Sequence, residues 1–272
     1  MEKLKKIVSG IGISLSLGVL AACGGNSEGN ELSEDELKIG VTAGPHEQIL
    51  EKVAELAEEE GLTIDVEVFT DYVVPNVALA EGDLDANSFQ HQPYLDDFKE
   101  DRNLDITEVA TTVNFPMGLY SSELSDVDEI EEGDNIGLPN DPTNGARALM
   151  LFEEAGLITL EEDIGSDASV LDIVDNPLDL DFVELEASQL PRQLDELAAA
   201  AINTNYAIEH GYVPTEDSIF IEDGDSPWVN LIAVRTENEN DAVVDKLISI
   251  YQSDEIKDFI EEEFQGSVIA SW

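Results

Sequence analysis

Arginine is scarce in this chain, and one arginine lies where it could hold an anion. Of the 272 residues only 12 are Lys or Arg, and four of these are Arg. Arg147 follows Asp141 and Pro142, which predict a turn and the start of a helix. Free N–H groups at a helix N-terminus favour anions, and a guanidinium grips both oxygens of a carboxylate. Arg147, with Asn144 beside it, is the predicted carboxylate ligand; a structural ion pair is the alternative.

The other three arginines have more ordinary settings. Arg102 lies in a polar stretch and is predicted to be solvated, Arg192 begins an acidic helix and is predicted to form a structural ion pair, and Arg235 ends a strand. The sequence has no G-x-S-x-G, H-E-x-x-H or Walker motif. One Cys and three scattered His make no credible zinc site. We therefore predict no enzyme, no metal site and no cofactor.

Hydrophobic patterns with a period of two and of 3.6 residues alternate along the chain, as is typical of an α/β fold. Strands are predicted at residues 37–41, 64–68, 84–89, 135–139, 182–185 and 231–234, and helices at 49–57, 75–81, 146–155, 190–200, 242–253 and 255–264. This order implies largely parallel sheets, with ligands bound beyond the carboxyl ends of the strands. Two such clusters favour two lobes.

The net charge excludes several classes of partner. Asp and Glu total 62, which gives a formal charge of −50. Such a chain cannot neutralise nucleic-acid phosphates or dock on anionic lipid through a basic surface. Its 42% of hydrophobic residues is too high for an acidic disordered chain. The charge indicates a folded protein from a saline environment, where self-repulsion is screened.

The N-terminus predicts secretion and a lipid anchor. Three lysines among the first six residues precede an apolar run over residues 7–20, which predicts a signal peptide at 1–22. The run is shorter than the roughly 20 residues of a spanning helix. Residues 20–23 resemble the bacterial lipobox, so Cys23 is the predicted lipidation site; an ordinary signal with a chance cysteine is the alternative. Residues 23–35 are predicted to be the anchor and a flexible tether.

Motifs along the whole chain resemble those of the NlpA family, which includes methionine-binding lipoproteins of ABC importers. The matching segments are residues 69–76, 82–87, 89–95, 139–144 with Arg147, 184–187, 189–192, 202–203, 226–230 and the terminal Trp272. The resemblance implies a two-lobed periplasmic-binding-protein fold of type II, with a ligand cleft between the lobes.

The same resemblance implies where the lobes divide. Lobe 1 would hold residues 36–115 plus 231–272, and lobe 2 would hold residues 116–230. Two crossover segments, at 113–119 and 228–233, would form the hinge.

The function implied by the resemblance is capture of L-methionine on the outer face of the cell membrane and delivery to an ABC permease and ATPase complex. A binder of another ligand, such as a methionyl dipeptide or a different apolar amino acid, is the nearest alternative. A secreted enzyme on a two-lobed scaffold, or a purely adhesive lipoprotein, is a more distant one.

The resemblance also implies the ligand contacts. Arg147 matches an arginine of the family. Asn203 and Asn230 match positions that reach the polar end of the ligand, and Asn205 could carry the contact in place of Asn203. The aromatic pocket for the thioether is expected from Tyr72, Phe89, His91 and Tyr94. The remaining histidines, His46 and His210, are predicted to lie on the surface.

Overall fold

A computed structural model describes residues 31–224 and 227–272 of the chain. Its strands are β1 (Glu36–Thr42), β2 (Thr63–Phe69), β3 (Ala86–His91), β4 (Ile106–Asn114), β5 (Gly118–Tyr120), β6 (Asn135–Pro139), β7 (Thr159–Leu160), β8 (Ile173–Asp175), β9 (Asp181–Leu185), β10 (Ala199–Ile202), β11 (Phe220–Ile221), β12 (Val229–Arg235) and β13 (Ile269–Ala270). Its helices are α1 (Pro45–Glu59), α2 (Val74–Glu81), α3 (Gln92–Arg102), α4 (Pro142–Glu154), α5 (Leu190–Gln193), α6 (Thr204–Glu209), α7 (Pro214–Asp217), α8 (Ala242–Tyr251) and α9 (Asp254–Phe264).

The first sheet combines the N-terminal strands with two strands from the C-terminal part of the chain. Its order is β13-β4-β12-β3-β1-β2, in which β1 runs parallel to β2 and β3 while β12 runs antiparallel to β3 and β4. Leu37, Ile39 and Val41 of β1 are buried, and α1, α8 and α9 cover the same core. The alternating apolar residues of β1 and the helically spaced apolar residues of α1 therefore pack in one hydrophobic core.

The second sheet is built from the middle of the chain. Its order is β11-β5-β10-β6-β9, with β6 parallel to β9 and β10 and with β5 antiparallel to β10 and β11. Helix α4 packs one side through Ala148, Leu151 and Phe152, which are all buried. The hairpin of β7 and β8 stands apart as a two-stranded sheet.

Helix starts follow the carboxyl ends of parallel strands in both sheets, and these starts position the polar side chains described below. After β1, Gly44 adopts a φ of 86° and Pro45 opens α1. A Cβ on Gly44 would lie 3.1 Å from the backbone oxygen of Asn205, so this close approach between the two halves favours glycine. After β6, Asp141 caps α4 and Pro142 occupies its first turn.

One predicted helix is wrong. The sequence predicted a helix over residues 190–200, but α5 covers only Leu190–Gln193 and a short 3₁₀ turn follows it. Ala199–Ile202 is the fully buried central strand β10, between β5 and β6. Alanine favours helix, yet here its small side chain fits a crowded sheet centre, and tertiary packing overrides the propensity.

Several N-terminal predictions lie outside the described residues. These are the signal peptide at 1–22, the lipidation of Cys23 and the first part of the tether. Within the described part, the backbone N–H of Leu32 donates to Asp241 at 2.9 Å, and the Leu32 side chain packs on the first core.

Across the described ranges, we find no helix with the length and hydropathy needed to span a bilayer.

We expect the melting temperature to rise by several degrees between about 0.1 M and about 1 M NaCl, because the Debye length falls from about 10 Å to about 3 Å. The net charge of −50 makes self-repulsion the term that salt screens. Differential scanning fluorimetry measures it. A matched variant with Gln at the exposed Glu58, Glu59 and Glu60 should show a smaller salt slope. A melting temperature that is flat or falls with salt would contradict this account.

Candidate ligand-binding site

A cavity lies between the two sheets, at the carboxyl ends of β1, β3 and β10. Its lining contains His46, Tyr72, Phe89, Gln90, His91, Tyr94, Phe115, Asn144, Arg147, Asn203, Thr204, Asn205 and Asn230. The structure thus brings together every side chain predicted for the ligand site. Four lining residues were not predicted: His46, Gln90, Phe115 and Thr204.

Arg147 reaches the cavity from the second turn of α4, and it already has an anionic partner. Its Nε and Nη2 donate to the two carboxylate oxygens of Glu222 at 2.7 and 2.5 Å, and Nη2 also donates to the backbone oxygen of Phe115 at 2.7 Å. The exposed fraction of the side chain is 3% for Arg147 and 9% for Glu222. The ion pair that was the alternative for Arg147 therefore exists. Nη1 has no hydrogen-bond partner within the described residues, so two N–H donors remain for a ligand.

A second polar group surrounds Asn144, in the first turn of α4. Its Nδ2 donates to the carboxylate of Asp141 at 2.9 and 3.1 Å, and its Oδ1 accepts from Asn203 Nδ2 at 2.7 Å. His91 Nε2 lies 3.2 Å from the same Oδ1. The Oδ1 atom of Asn203 is buried and has no hydrogen-bond partner in the described chain. Burial raises the pKa of Asp141, while hydrogen bonds from Asn144 and Thr143 oppose that shift.

Asn205 has a different role from Asn203. Its Oδ1 accepts from the Tyr72 hydroxyl at 2.6 Å, and its Nδ2 donates to Thr42 Oγ1 at 3.5 Å. Both ends of the amide are therefore engaged with groups that belong to the first sheet and its connections. Asn205 therefore links the region after β10 to the first sheet, whereas Asn203 retains an acceptor that faces the cavity.

Aromatic rings close the other end of the cavity. Tyr72 lies 5.9 Å from both Phe89 and Tyr94 and 5.0 Å from Tyr206, measured between ring centroids. The Tyr94 hydroxyl donates to the backbone oxygen of Tyr72 at 2.9 Å, and the two rings meet edge-on at an interplanar angle of 69°. Phe89 and His91 both contact the cavity, as their spacing of two on a strand predicted.

The prediction that His46 lies on the surface is wrong. His46 is 3% exposed and lies in the first turn of α1, with its ring centroid 4.6 Å from that of Phe115. Its Nδ1 lies 2.8 Å from Thr42 Oγ1, and its Nε2 lies 3.2 Å from Asn230 Nδ2. The signal that could have found it is its position just after a strand, at the start of a helix opened by Gly44 and Pro45.

Two other polar residues, Arg192 and His210, do not line the cavity. Arg192 is exposed and has no carboxylate within 4.0 Å among residues 31–224 and 227–272, so its predicted ion pair is absent from that part of the chain. It lines an outer depression that shares Tyr72 and Tyr94 with the cavity. His210 is half-buried, with Nδ1 2.9 Å from the backbone oxygen of Tyr206.

Both cavity histidines should stay neutral in mildly acidic solution. Burial lowers the pKa of His46 and of His91 to about 3, and the charge of Arg147 adds to the effect on His91. An unfolded His has a pKa of about 6.5, so between the folded and the unfolded pKa values the unfolded chain binds more protons than the folded chain. The free energy of unfolding therefore decreases as pH falls below about 6.5. The imidazole ¹H–¹³C shifts of His46 and His91 in the folded protein should not move down to about pH 5, whereas those of the urea-unfolded chain should titrate near pH 6.5. A midpoint close to the unfolded value for either residue in the folded protein would contradict this burial argument.

Comparison with known proteins gives matches along the whole chain. The D-methionine-binding lipoprotein MetQ of Salmonella typhimurium is 42% identical over 270 residues, which cover 98% of each chain. Outer membrane lipoprotein 3 of Mannheimia haemolytica is 42% identical over 271 residues, covering 99% of this chain and 100% of that one. A solved structure, a nutrient binding protein from Burkholderia cenocepacia bound to methionine, is 44% identical with a TM-score of 0.85, covering 87% of this chain and 100% of that chain.

The similarity in sequence and in structure agrees with the two sheets and the cavity between them. The prediction of a two-lobed α/β fold is therefore confirmed. Residues 37–272 match the model of the NlpA lipoprotein family, and the chain belongs to that family.

Proposed function

We propose that this protein is a solute-binding protein that captures L-methionine and delivers it to an ABC importer, and that it has no enzymatic activity. The observation that carries the proposal is the cavity between the two sheets, which offers three kinds of contact. Arg147 supplies N–H donors, Asn203 supplies a buried acceptor, and the Tyr72 cluster supplies aromatic surface. A zwitterionic amino acid with an apolar side chain needs these three contacts.

The polar contacts suit the two charged groups of the ligand. A buried carboxylate must be paired and hydrogen-bonded, and Nη1 of Arg147 can do both. An ammonium has only donors, so it needs acceptors such as the Asn203 oxygen. Asn230 extends this polar end from the first sheet. A methionyl dipeptide would need room beyond one of these charged ends.

The aromatic contacts suit the thioether. Sulfur near the edge of an aromatic ring gains about 0.3–1.5 kcal/mol. Phe89, Tyr94 and Tyr72 provide three rings whose centroids lie 5.9 to 6.2 Å apart. We propose the L enantiomer, although several relatives are named for D-methionine.

Closure by hinge motion accompanies binding in this proposal. The lobes are residues 36–115 plus 231–272 and residues 116–230, joined by crossovers at 113–119 and 228–233. Hydrogen bonds from Tyr72 to Asn205 and from His91 to Asn144 cross the cleft, which supports a closed state with the ligand enclosed.

Native mass spectrometry of ligand-stripped protein tests the ligand directly. The protein is offered an equimolar mixture of L-methionine, L-leucine, L-phenylalanine and L-methionyl-L-alanine. We expect one adduct with the mass of methionine. An adduct dominated by the dipeptide or by another amino acid would contradict the ligand assignment and leave the solute-binding class intact.

The second part of the proposal concerns location. A lipid on Cys23 anchors the protein to the outer face of the cell membrane. There it docks to a permease and ATPase complex. Relatives named as lipoproteins support the anchor. Cys23→Ser should release the protein into the medium or leave an uncleaved precursor, as measured by fractionation and immunoblot. Membrane association of the Cys23→Ser protein after complete signal cleavage would contradict the lipid anchor.

A further inference from the structure

We propose that Asp141 is a positioning residue that makes the site selective for a free ammonium group, acting through Asn144 on Asn203. The inference rests on the proposed function, because it concerns the polar end of the same cavity. It assigns a role to a carboxylate that does not line the cavity itself.

The direction of each hydrogen bond follows from the carboxylate. Both oxygens of Asp141 face Asn144, accepting from its Nδ2 at 2.9 and 3.1 Å and from its backbone N–H at 2.9 Å. An ionised carboxylate only accepts hydrogen bonds. The NH₂ group of Asn144 must therefore face Asp141, and the Oδ1 of Asn144 must face away from it.

The orientation of Asn144 fixes that of Asn203, which lines the cavity. Asn144 Oδ1 can only accept, so the group of Asn203 that lies 2.7 Å from it must be the NH₂. His91 agrees with this direction, because its Nδ1 accepts from the backbone N–H of Tyr94 at 3.2 Å, which leaves the proton on Nε2, facing Asn144. Two donors then converge on one amide oxygen, and neither amide can flip without opposing like groups.

The outcome is an acceptor aimed into the cavity. Asn203 is 7% exposed, and its Oδ1 is buried without a hydrogen-bond partner among the described residues. An unpaired buried acceptor is costly, and a ligand N–H group removes that cost. A ligand that lacks the amino group leaves the acceptor unpaired and binds more weakly.

A purely structural role for Asp141 makes a different prediction. Asp141 is the N-cap of α4, and Asn caps helices about as well as Asp does. Asp141→Asn therefore keeps the cap but presents an NH₂ group to Asn144 Nδ2. To relieve that clash the side-chain amide of Asn144 flips, and the amide of Asn203 flips in response. The NH₂ group of Asn203 then faces the ligand ammonium. A helix cap alone would change stability and leave ligand selectivity unaltered.

The test is isothermal titration of the mature chain with two ligands, L-methionine and its deaminated analogue γ-(methylthio)butyrate. The measured quantity is the ratio of their dissociation constants. Wild type should prefer L-methionine, and Asp141→Asn should reduce that preference about tenfold or more, the size of a hydrogen bond to a charged group. Asn144→Leu removes the hydrogen-bond link between Asp141 and Asn203 and keeps the cap residue Asp141. It should reduce the preference for L-methionine by a similar factor.

Asp126→Asn is the matched control, because Asp126 caps the exposed 3₁₀ turn Val127–Glu129 and does not line the cavity. It should keep the wild-type ratio. Folded Asp141→Asn and Asn144→Leu proteins with the wild-type ratio would overturn the positioning role while methionine binding stands. Wild type that binds neither ligand would overturn the proposed function and this inference with it.

Discussion

Replacing Arg147 by alanine is expected to weaken L-methionine binding by roughly a hundredfold or more, since removal of one partner of a buried charge pair costs about 3–5 kcal/mol. Nη1 is the guanidinium nitrogen left free by Glu222 and Phe115, and it is the group available to a buried ligand carboxylate. Isothermal titration measures the loss.

The variant also strips Glu222 of its partner, so loss of binding and loss of stability must be separated. The Glu222 carboxylate is 9% exposed, and leaving it charged and unpaired should lower the melting temperature. Arg147→Met combined with Glu222→Gln removes both charges, and we expect it to recover part of the stability but none of the affinity. Wild-type-like affinity in the folded double variant would contradict the placement of the ligand carboxylate at Arg147.

Phe89→Ala is expected to destabilise the protein by about 3–5 kcal/mol, as is typical of truncating a buried Phe. Phe89 is 3% exposed and contacts Tyr72 and Tyr94 at the aromatic end of the cavity. The space left behind should also weaken L-methionine binding and loosen selectivity towards larger apolar side chains. Urea unfolding and titration with L-methionine, L-leucine and L-phenylalanine measure the two effects.

Phe264→Ala provides the matched control. Phe264 is 7% exposed at the end of α9 and belongs to the core of the first sheet, away from the cavity lining. It should lower stability by a similar mechanism and leave the order of ligand affinities unchanged. If Phe89→Ala keeps the wild-type selectivity, the aromatic end does not read the ligand side chain.

Much of the site could be predicted because the informative residue types are rare in this chain. With four arginines in the sequence, Arg147 stood out because it follows the turn and helix start at Asp141 and Pro142. Phe89, His91 and the asparagines were placed through the family resemblance, and the structure puts all of them on one cavity. Strands and helices with a clear period, such as β1 and α1, could be predicted because their buried residues recur at regular spacing.

The remaining features depend on packing that no local pattern carries. Glu222 is one acidic residue among 62, so its burial against Arg147 has no sequence signature. His46 was assigned to the surface, and its position between a strand and a helix start suggested the cavity but did not reveal its contact with Phe115, which is distant in sequence. The alanines of β10 favour helix locally, and only the neighbouring strands β5 and β6 make them a sheet centre.

Titration of ligand-stripped wild-type protein with L-methionine, with D-methionine in a parallel experiment, tests the central claim most directly. We predict saturable binding of L-methionine with one ligand per protein and a negative heat-capacity change, because the apolar side chain is buried. Absence of saturable L-methionine binding to a folded, ligand-free protein would contradict the claim.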